Sequence, residues 1–173
     1  IDQSAVSFDA SVLGHAAFLH DPDSPDITTH SAMIDVTVIH GNASHGSSGC
    51  TAVKYARCEE IFLDGLEIYC NEDYQSLRFA EACKRIHVRG LRADTAVIKE
   101  NALDTGPGPE WMHFEDCHVG INSTHRTSIG FETVRAQRVL FENCQAFGTR
   151  FIEMDILDTD LVQAVFDDNH LMG

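Results

Sequence analysis

One phrase, apolar–x–apolar–acid–turn residue–apolar, recurs along this chain at a nearly constant interval. It reads IFLDGLEI from Ile61, IHVRGLRA from Ile86, MHFEDCHV from Met112, VLFENCQA from Val139 and AVFDDNHL from Ala164. Looser versions start at Ile34 (IDVTVIHG) and Val6 (VSFDASVL), so successive starts differ by 28, 27, 25, 26, 27 and 25 residues. Self-similarity at a fixed period of about 20–50 residues means stacked repeats, each burying its apolar face against its neighbours. Within the phrase the apolar residues alternate (Ile61, Leu63, then Leu66, Ile68 after a break), and period-two alternation over short runs marks strands with one buried face. Between the two short runs stand Gly65, Gly90, Asp116, Asn143 and Asp168. Gly, Asn and Asp tolerate positive φ, so this column predicts a recurrent left-handed bend.

A third strand precedes the phrase in several repeats: TAVKYA from Thr51, QSLRFA from Gln75, TSIGFE from Thr127 and RFIEMDI from Arg150. Aligned in that order they put Val53, Leu77 and Ile129 inward, with Ile152 and Met154 in the last. The repeat containing Met112 has its equivalent strand near Ala102–Thr105, before GPGP at Gly106–Pro109. Three strands per repeat of this length describe an all-β, right-handed parallel β-helix of about seven coils. At ~4.8 Å per coil this makes a rod of roughly 30–35 Å. The whole span 1–173 reads as a single segment, irregular over 1–33 and regular over 34–173. The phrase runs close to both ends with no capping pattern, so the expectation is a piece of a longer chain.

With 12 Lys+Arg against 27 Asp+Glu, the formal net charge is −15. A nucleic-acid backbone or an anionic membrane is bound through basic surface, so neither is an expected partner. No apolar run approaches the roughly 20 residues that a membrane span needs. The cysteines recur with the repeat: Cys58 and Cys83 are 25 apart, Cys117 and Cys144 are 27 apart. Thiols stacked in the interior explain this better than disulfides, and with no CxxC there is no zinc-ribbon spacing. Among the 10 histidines no HxxxH or HxH couples to a nearby carboxylate pattern, so no metal site is expected. His87 and His113 share an outward column, as do His118 and His170, and both columns can offer hydrogen bonds to a sugar.

The repeat, with its FEDC and FENC turns (Phe114–Cys117, Phe141–Cys144), resembles the pectin-lyase-like β-helices, and among them the phage tailspikes and related polysaccharide depolymerases. The resemblance covers most of the chain. The opening IDQSAVSF and the loop-rich His20–His30 are similar to the early coils of tailspikes. It implies a homotrimer in a virion tail or other extracellular setting, acting on a capsule, O-antigen or exopolysaccharide, with no cofactor. Free thiols agree with assembly in a reducing cytoplasm.

In the enzymes this chain resembles, the cleft lies on the strand before the variable turn that leads into the repeated phrase. Here that strand carries Lys54, Arg78, Glu132, Glu153 and Asp155, with Asp104 joining if the Met112 repeat aligns as above. Glycoside hydrolysis needs two carboxyl groups, about 5–5.5 Å apart for retention and about 6.5–9.5 Å for inversion. Glu153 and Asp155 lie on one face about 6.5–7 Å apart at the backbone. Glu132 one repeat away can raise a neighbour's pKa. The expected catalytic residues are therefore Glu132, Glu153 and Asp155, with Lys54, Arg78 and Asp104 contacting substrate. Trp111, the single Trp, and Tyr74 (with Tyr69 across NED) are candidate sugar platforms. Two alternatives stay open. A lyase would use Lys54 and Arg78 around a uronate carboxylate. A non-catalytic fibre segment would bind carbohydrate or only display loops.

Overall fold

The computed structural model describes residues 4–8, 18–20, 28–40, 51–69, 75–79, 83–94, 97–99, 109–120, 129–134, 137–147, 150–155 and 163–172. These are all strand, bend or extended segment, with no helix among the described residues. Their strands form three parallel sheets, and within each sheet every neighbour is three strands away in the chain. Sheet A holds β1 (Ser4–Phe8), β4 (Val36–His40), β7 (Glu67–Tyr69), β10 (Arg92–Ala93), β13 (His118–Val119), β16 (Gln145–Phe147) and β19 (His170–Met172). Sheet B holds β2 (Phe18–His20), β5 (Thr51–Tyr55), β8 (Gln75–Phe79), β11 (Val97–Lys99), β14 (Ile129–Val134) and β17 (Arg150–Asp155). Sheet C holds β3 (Thr28–Ile34), β6 (Cys58–Asp64), β9 (Arg85–Arg89), β12 (Trp111–Glu115), β15 (Arg138–Glu142) and β18 (Gln163–Asp167).

The bend between sheet C and sheet A is the punctuating column of the sequence. Asp35, Gly65, Gly90, Asp116, Asn143 and Asp168 all have φ between 47° and 64°. Each bend is stitched to the next: the N–H of Gly65 donates to Arg89 O at 3.0 Å, that of Gly90 to Glu115 O at 2.9 Å, and that of Asp116 to Glu142 O at 3.0 Å. The turn thus leaves these donors satisfied while the chain changes direction. Asn143 Nδ2 also donates to Asp116 Oδ1 at 2.6 Å, a bond that glycine could not make.

Alternation sends one side of β6, β9, β12 and β15 into the core. Ile61, Ile86, Met112 and Val139 pair in one row and Leu63, Val88, Phe114 and Phe141 in the next, all at most 2% exposed. Rings stack along the second row, Phe114 on Phe141 at 5.1 Å and Phe141 on Phe166 at 5.4 Å, near parallel in both cases. Burying a phenylalanine side chain stabilises by about 1.5–3 kcal/mol, and each ring pair adds about 0.5–1.5. Cys58, Cys83, Cys117 and Cys144 are buried free thiols, as their recurrence predicts. Cys117 Sγ donates to Val88 O at 3.5 Å and Cys144 Sγ to Phe114 O at 3.4 Å, one repeat back. Burial pushes the Cys117 thiol well above its ordinary value. Cys50 and Cys70 lie outside the described residues.

The register corrects four alignments, one of them a two-residue slip in sheet B, where Phe131 and not Ile129 shares the row of Leu77. Ser31, not Ile34, stands opposite Ile61, and the bend in that repeat is Asp35. Val6 pairs with Val38 in sheet A, so it belongs to the half of the phrase after the bend. The sheet B strand of the Met112 repeat is β11, Val97–Lys99, rather than a run near Ala102–Thr105. Here the phrase misled because short strands of one alternating pattern match each other equally well after an even-numbered slip, and irregular flanking runs do not mark the longer ones.

Candidate functional site

The outward face of sheet C combines aromatic rings, imidazoles and an ionic rim. Strand alternation, which buries Ile61 and Leu63, turns Phe62 out, and the register then sets Ala32, Phe62, His87, His113, Leu140 and Val165 in one outward row. On one side runs His30–Glu60–Arg85–Trp111, and on the other Ile34–Asp64–Arg89–Glu115–Glu142–Asp167.

The middle row is held by ring packing. His87 and His113 stack at 4.7 Å and 9°. Trp111 meets both edge-on, 5.8 Å from His87 and 5.3 Å from His113, and Phe62 meets His87 edge-on at 5.3 Å. Phe62, His87 and Trp111, with Ala32, line a groove of about 580 Å³ whose rim carries His30, Glu60 and Arg85. That volume suits a ligand of one to a few rings.

The rim is a chain of ion pairs. Glu60 takes His30 Nε2 at 2.9 Å on Oε2 and the Arg85 guanidinium at 2.8 Å on Oε1, and Arg85 reaches Glu110 at 3.5 Å. Nearby, Lys84 Nζ donates to Glu59 Oε1 at 2.7 Å, which holds the Glu59 carboxyl below its ordinary range. Solvent screens exposed pairs of this kind, so their groups can be redirected to a ligand at small cost.

Between the middle row and the third, His113 Nε2 shares a 2.5 Å hydrogen bond with Glu142 Oε2, while His87 Nε2 is 3.7 Å from Glu115 Oε2. Burial first, and then the neighbouring His113, hold the His87 imidazole below its ordinary value and favour its neutral form. At 3.7 Å the carboxylate is too far to accept a hydrogen bond, and His87 Nε2 is solvent-inaccessible with no hydrogen-bond partner.

The acids and cations anticipated from sequence sit elsewhere, in sheet B. Lys54 pairs with Arg78, Arg78 with Ile98, Ile98 with Glu132, and Glu132 with Glu153, so these positions form one row. Glu132 is therefore Glu153's direct neighbour, two residues from where the alignment of Ile129 with Leu77 would place it. Asp155 stands opposite Val134, two residues further along its strand. Trp111 lies on sheet C and does not join that row. Asp104 and Tyr74 lie outside the described residues, and Asp104 is five positions beyond the end of β11. Tyr69 is on sheet A, donating to Glu67 Oε2 at 3.1 Å. His118 and His170 flank Gln145 in one row of sheet A.

The sequence reading paired His87 with His113 and set Glu115 and Glu142 in the repeated acid position of the phrase, but it missed Phe62 and did not join the two columns. An outward Phe on a half-buried strand and the His-Phe-Glu run at His113–Glu115 were the available signals. A search for ligands close in sequence passes over this cluster, because its members meet across strands 26 residues apart (His87 to His113). Comparison with known proteins returns no matching family model, no matching curated relative and no matching solved structure.

Proposed function

We propose that the three sheets are the walls of a right-handed parallel β-helix and that the chain binds a polysaccharide along the outward face of sheet C. The observation that carries the binding is the ring-lined groove with its ionic rim. Sugar rings offer C–H faces that pack on Phe62 and Trp111, and hydroxyls that bridge to Glu60, Arg85 and His30. A row advancing by one strand spacing per repeat suits a linear polymer lying across several strands. The setting we propose is a tailspike-like homotrimer acting on a capsule, O-antigen or exopolysaccharide outside the cell. The net charge of −15 supports a neutral or locally paired glycan over a densely anionic one.

Hydrolysis of a glycan long enough to reach from this groove to sheet B is the second part of the proposal, and the pairing of Glu132 with Glu153 supports it. Adjacent parallel strands bring two carboxylate positions to ~4.8 Å at the backbone, near the separation that retaining glycosidases use. Asp155 and the cations Lys54 and Arg78 on the same sheet complete the set. Incubation with purified capsular and O-antigen polysaccharides tests both parts. Calorimetry should show saturable binding that Trp111→Ala weakens about tenfold or more, the scale set by desolvated aromatic anchors. New reducing ends that disappear in Glu153→Gln and Glu132→Gln support hydrolysis. Unsaturated products absorbing in the ultraviolet would replace it with a lyase, and binding without either product would leave a recognition segment.

A further inference from the structure

We infer that His87, His113 and Glu115 bind one divalent metal ion of the zinc type. Strand geometry makes the trio. His113 and Glu115 are two apart on β12 and so share its outward face, and His87 on β9 is directly opposite His113. One donor atom from each lies within 4.8 Å of the others. Two imidazoles and a carboxylate are a set that zinc accepts, with a fourth position open.

The distances are close to those an ion needs. Bonds of about 2.0–2.2 Å to nitrogen and oxygen put tetrahedral donors roughly 3.4 Å apart. His87 Nε2 and Glu115 Oε2, at 3.7 Å, are already within a few tenths of that edge. A second observation points the same way. His87 Nε2 is inaccessible to solvent and has no hydrogen-bond partner, and a metal bond would satisfy such a nitrogen. Arg89, in register with Glu115, is drawn to Asp64 on its other side, with Nε 3.7 Å from Oδ1. Glu142 supplies the reserve donor. Its Oε2 is hydrogen-bonded to His113 Nε2, so an ion taken up on that nitrogen displaces the shared proton to solvent and leaves the carboxylate beside the metal. The overall charge of −15 adds a favourable field for a cation. The inference stands apart from the glycan reading, because the ion is offered alone.

The experiment is titration of the whole chelator-treated protein with Zn2+ by calorimetry and with Co2+ by visible absorption. Wild type should take up one equivalent and give the intense visible bands of low-coordinate cobalt. Glu115→Gln, which keeps the side chain's shape, and His87→Ala should each weaken uptake about 10–100-fold, with circular dichroism unchanged. His170→Ala, on sheet A, should bind as wild type does. Absence of uptake by wild type at about 1 mM metal (weaker than roughly 4 kcal/mol) overturns the site. So does uptake undiminished in both Glu115→Gln and His87→Ala, which would put the ion elsewhere.

Discussion

Two glycines separate the cost of backbone conformation from the cost of stacking. Gly90 has φ +62°, and a Cβ built there meets nothing closer than Gly65 N at 3.6 Å, an ordinary contact. Gly90→Ala therefore costs only the left-handed conformation of an L-residue, about 1–2 kcal/mol, partly offset by about 0.4–1 from a stiffer unfolded chain. The net expectation is about 1 kcal/mol. Gly120 has φ +74°, and its Cβ would stand 2.4 Å from Phe147 O, a backbone atom on the neighbouring strand β16. Gly120→Ala incurs the same conformational cost and must also push the strands apart, which at overpacked sites costs about 1–3 kcal/mol more. Urea unfolding followed by far-UV circular dichroism measures both variants. Each kcal/mol corresponds to about 2–4 °C in Tm for a chain of this size, so a parallel melt gives the same ranking. Gly120→Ala should lose at least twice as much stability as Gly90→Ala. Equal losses would refute the register that sets Gly120 against Phe147.

Two other perturbations probe the core. Phe141→Ala empties the middle of the Phe114–Phe141–Phe166 stack and should destabilise by about 3–5 kcal/mol in the same urea assay, while Phe141→Leu should cost under half of that. Burial pushes the Tyr55 hydroxyl up to about 12 from its ordinary 10.0. The unfolded chain then loses that proton from about pH 10 upward while the folded chain keeps it. Stability is therefore full below pH 10 and falls by about 2–3 kcal/mol as pH rises to 12. Tyr55→Phe should flatten that part of the pH–stability curve, and an unchanged curve would count against the buried hydroxyl.

The architecture was legible because its signals are local and repeated. Inward Ile61 and Leu63, the bend residues Gly65 to Asp168 and the recurring cysteines each name a position that the register reproduces. Strand partners near irregular stretches were not legible. Val97–Lys99 is too short for alternation to place it, although its β-branched pair favours a strand, and Ser31 is a poor match for Ile61 although it occupies the same row. The candidate site was hidden for a related reason. Phe62, His87, Trp111 and Glu142 become neighbours only after register is known, and a slip of one residue would turn each to the opposite face. Glu132 and Glu153, by contrast, share sheet B as the strand pattern predicts, and the register corrects their relation to direct neighbours.

Trp111 is the only tryptophan, so intrinsic fluorescence reports the sheet C groove directly. The central claim is tested by titrating the protein with candidate bacterial surface polysaccharides while following that emission. A recognised glycan should give a saturable change that Phe62→Ala and Arg85→Gln weaken about tenfold or more and Arg92→Gln, on sheet A, leaves in place. Binding that is intact in Phe62→Ala and Arg85→Gln, with Trp111 emission unmoved, would contradict a glycan on this face.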